Sequence, residues 1–387
     1  MNKRRVVITG VGAVAAPGVG MDDLWKGLQQ NPGQAPRHIE GWDPEPWISK
    51  RDSRRLDKFT EFALVAAEEA FAQSGEIDID PNRVTVAIAT GIGGLESLET
   101  LVHESDKDSP RPSPFLIPMM MANAAAASIS IKYGFGGQVS TPVVACAAGS
   151  QSILDGLRQI QWGYADVAVV GGTEAAARHA AQEGFKAARA LSPSGYARPF
   201  DEDRDGFVMG EGAGVLVLEA ADVAEARGAS AIAEVLGAAS TADAHHITAP
   251  HPKGDGAERA VRLALADADL SPEDVRYVSA HGTGTDLNDQ TEGAVVARVF
   301  ADKQPAISSI KGSTGHGLGA SGSIEAAVLV EAIRRSELPP NTGMTTQDPE
   351  IPLTDIVTEL RSWEPGPAIS NSFGFGGHNT VIALGPT

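Results

Sequence analysis

The chain holds one cysteine, Cys146, in the run Thr141-Pro142-Val143-Val144-Ala145-Cys146-Ala147-Ala148-Gly149-Ser150. An apolar lead-in followed by small residues predicts a strand-to-helix turn. At such a turn, free N–H groups and the helix dipole favour a thiolate and can hold a developing oxyanion. Small neighbours also let a substrate come close. The same context suits a tightly packed core cysteine, so the nucleophile reading needs partners elsewhere in the chain.

Two histidines are candidates. His281 opens His281-Gly282-Thr283-Gly284-Thr285 directly after an apolar run, and His316 lies in Lys311-Gly312-Ser313-Thr314-Gly315-His316-Gly317-Leu318-Gly319. A histidine on a glycine-rich loop at a strand end contributes little packing and is placed for chemistry. Lys311 is close enough in sequence to His316 to tune its charge, and Glu325 follows on the next predicted helix. A last glycine-rich loop, Asn371-Ser372-Phe373-Gly374-Phe375-Gly376-Gly377-His378-Asn379, holds two phenylalanines that read as a turn on the core or as a gate beside a site. One Cys with two His supports acyl-thioester chemistry. Zinc is a rival, but no pair among these ligands has close motif spacing. Papain-like proteolysis is another, and it leaves the second histidine loop without a role.

These residues need a scaffold. Apolar runs at Val84–Ala89, Val167–Val170, Gly214–Glu219, Val275–Val278 and Val381–Leu384 read as strands. Helical patterns fall between them at Phe59–Ser74, Gln151–Gly163, Gly256–Ala268 and Ile324–Arg335. Alternating strands and helices predict an α/β fold with largely parallel or mixed sheets. The segment Arg4–Gly10 predicts a buried first strand ending in a turn at Gly10 and Gly12; the basic start and Ala13-Val14-Ala15 mimic a signal peptide, but the apolar run is short and broken. Residues 40–57 and the proline-rich Asp106–Pro114 read as surface insertions. Arg227-Gly228 is the predicted seam between two halves, 1–228 and 229–387.

The 387 residues are 42% hydrophobic and 21% charged, ordinary for a globular chain with a large core. A net charge of −19 disfavours nucleic acid as a partner. An acidic partner would need a local basic patch, and Arg51, Arg54, Arg55 and Lys58 form a candidate. No stretch is apolar enough to span a membrane. A lone cysteine precludes a disulfide within the chain, which fits a reducing cytoplasm.

The four loops together resemble the β-ketoacyl-acyl-carrier-protein synthases, in particular the synthase II-like branch and the ketosynthases of type II polyketide systems. The motifs Ala145–Gly149, His281–Thr285, Lys311–His316 and Gly374–Gly377 occur in that family's order, and the resemblance covers nearly the whole chain. It implies a thiolase-like fold, with duplicated halves in a five-layered α-β-α-β-α sandwich, and a dimer. It implies 3-oxoacyl synthase activity: acyl transfer from a carrier protein to Cys146, then decarboxylation of malonyl-carrier protein and attack of its carbanion on the acyl-Cys thioester. His281 and His316 would assist decarboxylation, Lys311 would orient His316, and the amides of Cys146 and Phe373 would form the oxyanion hole, with Phe373 also gating the acyl pocket. No cofactor is implied, because the phosphopantetheine arm arrives on the carrier protein.

Other positions carry over by the same resemblance. Thr283 and Thr285 match contacts to the phosphopantetheine arm. Phe185, Leu98 and Phe375 match walls or gate of the acyl pocket, and Asp243, His246 and Thr248 match a second loop near the gate. Arg51, Arg54, Arg55 and Arg189 match the patch that meets the acidic carrier protein. No metal is expected beyond a possible monovalent cation near Ser279, Glu325, Ser370 and Asn371, although the usual Asn is Ser279 here. Gly312-Ser313, Gly317, Ser321 and the run Met119-Met120-Met121 depart from the common pattern and lean toward a specialised pathway. The partner chain is a second copy or a ketosynthase-like subunit. A chain-length-setting subunit is the alternative reading, but such subunits usually lack the cysteine. A thiolase or initiating synthase would place Asn where His316 stands.

Overall fold

The computed structural model describes residues 3–30, 33–34, 37–105, 113–301 and 303–387. The Asp106–Pro114 insertion thus lies largely outside the described residues. The strands are β1 Val6–Ala15, β2 Gly18–Val19, β3 Val84–Ala89, β4 Val139–Ser140, β5 Val167–Glu174, β6 Gly212–Ala220, β7 Ala233–Ala242, β8 Tyr277–Ser279, β9 Ala306–Ser308, β10 Glu337–Leu338, β11 Arg361–Ser362, β12 Ala368–Gly374 and β13 His378–Gly385. All but the small β10–β11 ladder join one mixed sheet system, in the order β4-β3-β5-β6-β1-β7-β13-β12-β8-β9, with β2 on β1.

That order contains the same pattern twice. With β2 and the β10–β11 ladder set aside, each set of five strands runs third, second, fourth, fifth, first in its own chain order: β4-β3-β5-β6-β1 and β9-β8-β12-β13-β7. The ladders match as well. Three strands are parallel in each set, and the last two are antiparallel. The first strands of the two sets meet at only two residue pairs, Val7 with Glu234 and Ile8 with Ala233. This duplication is carried by topology and has no visible trace in the residues.

Three apolar clusters separate the layers. Ile153 and Leu157 of helix Ala148–Gln161, with Ile324 and Val328 of helix Ser321–Arg335, fill the middle between Leu216 and Leu218 of one sheet and Ile382 and Leu384 of the other. Phe62 and Val65 of helix Lys58–Ser74 cover the outer face of the first sheet. Helices Asp255–Asp267 and Asp286–Phe300 cover the second through Ala264 and Val299. The result is the five-layered thiolase-like arrangement, and strands buried on both faces read as unbroken apolar runs.

The first strand corrects one expectation. It does not end in a turn at Gly10 and Gly12 but continues to Ala15. A Cβ on Gly10 would lie 2.0 Å from the carbonyl oxygen of Ala70, and one on Gly12 would lie 2.1 Å from that of Ala66. The glycines therefore mark a close approach of strand to helix Lys58–Ser74. Overpacking of this kind costs about 1–3 kcal/mol, more where backbone must move.

Candidate active site

Cys146 sits on a single 3-10 turn, Ala145–Ala147, that leads into helix Ala148–Gln161. Ala145 is held at φ 51°, a left-handed conformation that an alanine adopts only under constraint. The turn thereby lifts the cysteine to the floor of a cavity of about 360 Å³. Burial pushes the thiol up to about 11, while a hydrogen bond from the Phe375 amide, the charge of Lys311 and the amide of Cys146 itself pull the other way. Two amides thus face the sulfur. The expected second amide was that of Phe373; the structure puts that of Phe375 there, two residues on. Phe373 instead sets its ring 5.9 Å from that of His281.

Both histidines line the same cavity and are buried. Their rings are 5.4 Å apart and nearly perpendicular. Burial and the charge of Lys311 push both well below the ordinary range, so both are neutral near pH 7. Lys311 sets the tautomer of His281. Its ammonium donates to the His281 carbonyl oxygen at 2.6 Å and lies 3.4 Å from Nδ1. An ammonium has no acceptor, so Nδ1 stays unprotonated and Nε2 carries the hydrogen. His316 Nδ1 is 3.0 Å from the hydroxyl of Ser321. When that hydroxyl donates, Nε2–H is again the free donor. The structure thus places Lys311 against His281, not against His316 as expected.

Lys311 is itself held by Glu325, both almost fully buried. Burial raises the Glu325 carboxyl to about 7 despite the ammonium beside it. The loop that carries His281 is fixed by two carboxylates that sequence reading missed. Glu292 accepts from the amides of His281 (2.9 Å) and Gly282 (2.7 Å) and from Asn371 (3.0 Å). Asp289 accepts from the amides of Thr283 and Phe200, and burial raises it to about 6. Their signal was the spacing of three residues at the start of helix Asp286–Phe300, which puts both on one face.

The other expected residues divide. Thr283, Thr285, Phe185, Phe375, Asp243, Thr248 and Arg189 all line the cavity. Phe185 meets Phe207 and Phe375 edge-on or tilted at 5.3 and 6.2 Å. The loop of Asp243, His246 and Thr248 is tied to the last glycine-rich loop: Asp243 accepts from Asn379 at 2.8 Å, and the Gly376 amide donates to the Ile247 carbonyl oxygen at 2.7 Å. His246 caps its own loop by accepting from the amides of Thr248 and Ala249. Leu98 is the exception. It is exposed and outside the cavity, where Ile92 takes the wall position. The basic patch also changes. Arg51, on the short helix Lys50–Ser53, and Arg54 and Arg55, just after it, are exposed, but Lys58 is engaged by buried Glu211 at 2.7 Å.

At three of the expected cation positions a buried oxygen lacks a hydrogen-bond partner among the described residues: Glu325 Oε2, Ser370 Oγ and Asn371 Oδ1. Oxygens of this kind suit a hard cation of low charge. Ser279, the fourth expected position, hydrogen-bonds Tyr277 instead. Among the described residues no three His, Cys, Asp or Glu side chains are grouped to hold a metal ion, and no helix is long and apolar enough to cross a membrane.

Residues 31–224 match the family described as "Beta-ketoacyl synthase, N-terminal domain", and residues 232–345 match "Beta-ketoacyl synthase, C-terminal domain". The 3-oxoacyl-[acyl-carrier-protein] synthase 2 of Synechocystis sp. is 42% identical over 99% of this chain and 98% of its own length. The same-named protein of Staphylococcus aureus strain COL is 41% identical over 98% of both. Among solved structures, the ishigamide ketosynthase/chain length factor superposes with a TM-score of 0.93 at 32% identity, covering both chains fully. AntDE:AntF, a type II polyketide acyl-carrier protein in complex with its ketosynthase bound to the hexaketide, gives 0.90 at 31%, again over both chains.

Proposed function

The chain belongs to the β-ketoacyl synthase family, and from that premise we propose that it catalyses decarboxylative Claisen condensation of a carrier-bound acyl chain with malonyl-carrier protein. The observation that carries this reading is the convergence of Cys146, His281 and His316 on one cavity, with two backbone amides at the sulfur. In the first stage the Cys146 sulfur attacks the acyl thioester. The tetrahedral oxyanion is held by the amides of Cys146 and Phe375. The carbon–sulfur bond to the carrier breaks as the tetrahedral intermediate collapses, and the thiol proton passes to the departing phosphopantetheine thiolate.

In the second stage the malonyl thioester carbonyl receives Nε2–H donations from His281 and His316. The bond to the carboxylate breaks and releases CO2, and its electron pair forms the enolate. The enolate carbon attacks the acyl carbon on Cys146, and the Cys146–acyl bond breaks. Neutral donors fit this step, because they stabilise the enolate oxygen without a charge to desolvate. Thr283 and Thr285 face the incoming arm, and Phe185, Phe207 and Phe375 wall the acyl site. No resident organic cofactor enters this scheme. Glu325, Ser370 and Asn371 would hold a monovalent cation, which would supply positive charge to their unpartnered oxygens and fix the loop of Asn371.

The two halves are taken as 1–228 and 229–387. The carrier protein meets Arg189 at the cavity mouth and Arg51, Arg54 and Arg55 beyond it, a local basic surface on an acidic protein. The chain is the catalytic member of a homodimer or of a heterodimer with a ketosynthase-like subunit, in the cytoplasm. Retention of Cys146 and both histidines supports a catalytic rather than a chain-length-setting role. The acyl chains belong to fatty-acid or type II polyketide assembly. Incubation of the purified protein with a panel of acyl-carrier proteins and malonyl-carrier protein tests the reading. A product two carbons longer supports it; no product with any primer, alone or with a co-expressed partner, contradicts it.

A further inference from the structure

Glu174 has no part in the scheme above, yet it lies wholly buried beneath the cavity. It ends strand β5 and points its carboxylate between the two halves. Its Oε1 accepts from the Thr90 hydroxyl at 3.1 Å. Its Oε2 accepts from the amide of Gly91 at 2.7 Å and from that of Gly319 at 3.1 Å. Thr90 and Gly91 belong to the first half, and Gly319 belongs to the turn Leu318–Ala320 of the second.

That turn is under constraint. Leu318 stands at φ 45°, strained for a γ-branched residue, and its side chain packs against Cys146 and lines the cavity. The turn is also hemmed in. A Cβ on Gly319 would lie 2.1 Å from the Gly91 amide nitrogen. On another side, a Cβ on Gly172 would lie 2.5 Å from the Gly319 carbonyl oxygen, and one on Gly149 would lie 3.0 Å from it. The remaining free volume beside Leu318 is the cavity itself.

We propose that Glu174 is a positioning residue that clamps the Thr90–Gly91 loop to the Leu318–Ala320 turn and so holds Leu318 back from the space beneath Cys146. The depth available to the acyl chain is then set by a carboxylate that never touches it. This rests on the reading of the cavity as the acyl site. A carboxylate is suited to the position because it only accepts, and three donors converge on two oxygens. Burial raises Glu174 to about 7, so the surrounding donors offset the desolvation cost only in part.

The test is Glu174→Gln in the full-length protein. A glutamine keeps one acceptor oxygen for the amides of Gly91 and Gly319 and presents an NH2 in place of the other, so the Thr90 hydroxyl no longer has an acceptor there and must turn to accept instead. Rates of Cys146 acylation are measured across a series of acyl-carrier proteins of increasing chain length. The expected result is a split: kcat for the shortest accepted chain stays within twofold, while kcat/KM for the longest falls at least tenfold through KM. Thr90→Val, which removes one donor to Glu174 and with it the acceptor of the Gly93 amide, shifts the same ratio in the same direction by a smaller factor and serves if the glutamine variant does not fold. An unchanged chain-length profile in whichever variant folds, or an equal loss at every length, overturns the clamp. Failure of the wild type to take any acyl chain would instead overturn the reading of the site, so the two failures are distinguishable.

Discussion

The ammonium of Lys311 lies 2.6 Å from the carbonyl oxygen of His281 and 3.4 Å from its Nδ1, with Glu325 on its other side. One buried cation thereby fixes the ring and selects its tautomer, and it adds to the burial that keeps the ring neutral. Lys311→Met leaves the Glu325 carboxyl buried without its partner, a loss of about 3–5 kcal/mol. The double variant Lys311→Met/Glu325→Gln should regain most of that stability in denaturant unfolding. Condensation should nevertheless stay down by roughly a hundredfold, because the Nε2–H donor is no longer set. Recovery of both stability and turnover in the double variant would remove Lys311 from the mechanism.

The thiol of Cys146 is pushed up to about 11 by burial. The thiolate is the reactive form, so alkylation by iodoacetamide should rise about tenfold per pH unit from pH 7 to 9 without a plateau. A plateau below pH 8 would show that the amides and Lys311 outweigh burial. Condensation itself should not follow this slope, since the carrier thioester supplies a leaving group for the thiol proton.

His281 and His316 are held below the ordinary value of 6.5. The unfolded chain therefore binds more protons than the folded one as pH falls through that value, and stability is lost toward acid. Glu174, Glu325 and Asp289 are raised and act the other way: their contribution is lost as pH rises from their ordinary range toward about 7. The difference between wild type and His281→Asn/His316→Asn isolates the histidines. The wild type should lose up to about 1.4 kcal/mol more per pH unit for each histidine below pH 6. Parallel stability curves for the two proteins would contradict their neutrality in the fold.

The unpartnered oxygens of Glu325, Ser370 and Asn371 predict a response to monovalent cations. The melting temperature should be higher in potassium or sodium chloride than in tetramethylammonium chloride at equal ionic strength. Ser370→Ala should shrink that difference. Equal melting temperatures in all three salts would leave the oxygens without a cation.

The chemistry was more legible in the residues than the scaffold was. The cysteine turn and three glycine-rich loops, in order, marked Cys146, His281 and His316, and apolar runs marked the buried strands. What escaped depends on distance in space. Gly10 and Gly12 look like a turn until helix Lys58–Ser74 is laid across them. Glu174, Asp289 and Glu292 are ordinary acids until the fold buries them against backbone amides. The identity of the second amide at the sulfur, Phe375 and not Phe373, turns on the strand staying extended through Gly374 and the chain turning only at Gly376 (φ 83°). Leu98 and Ile92 are equivalent apolar residues in sequence, and only the path of the loop decides which one faces the cavity.

The central claim is that Cys146 carries the acyl chain. It is tested most directly by the intact mass of the protein after exposure to acyl-carrier protein in the absence of malonyl-carrier protein. The account predicts a mass increase of one acyl group on the wild type, discharged when malonyl-carrier protein is added, and none on Cys146→Ala. An acyl adduct that persists on Cys146→Ala, or condensation by that variant at the wild-type rate, would contradict it.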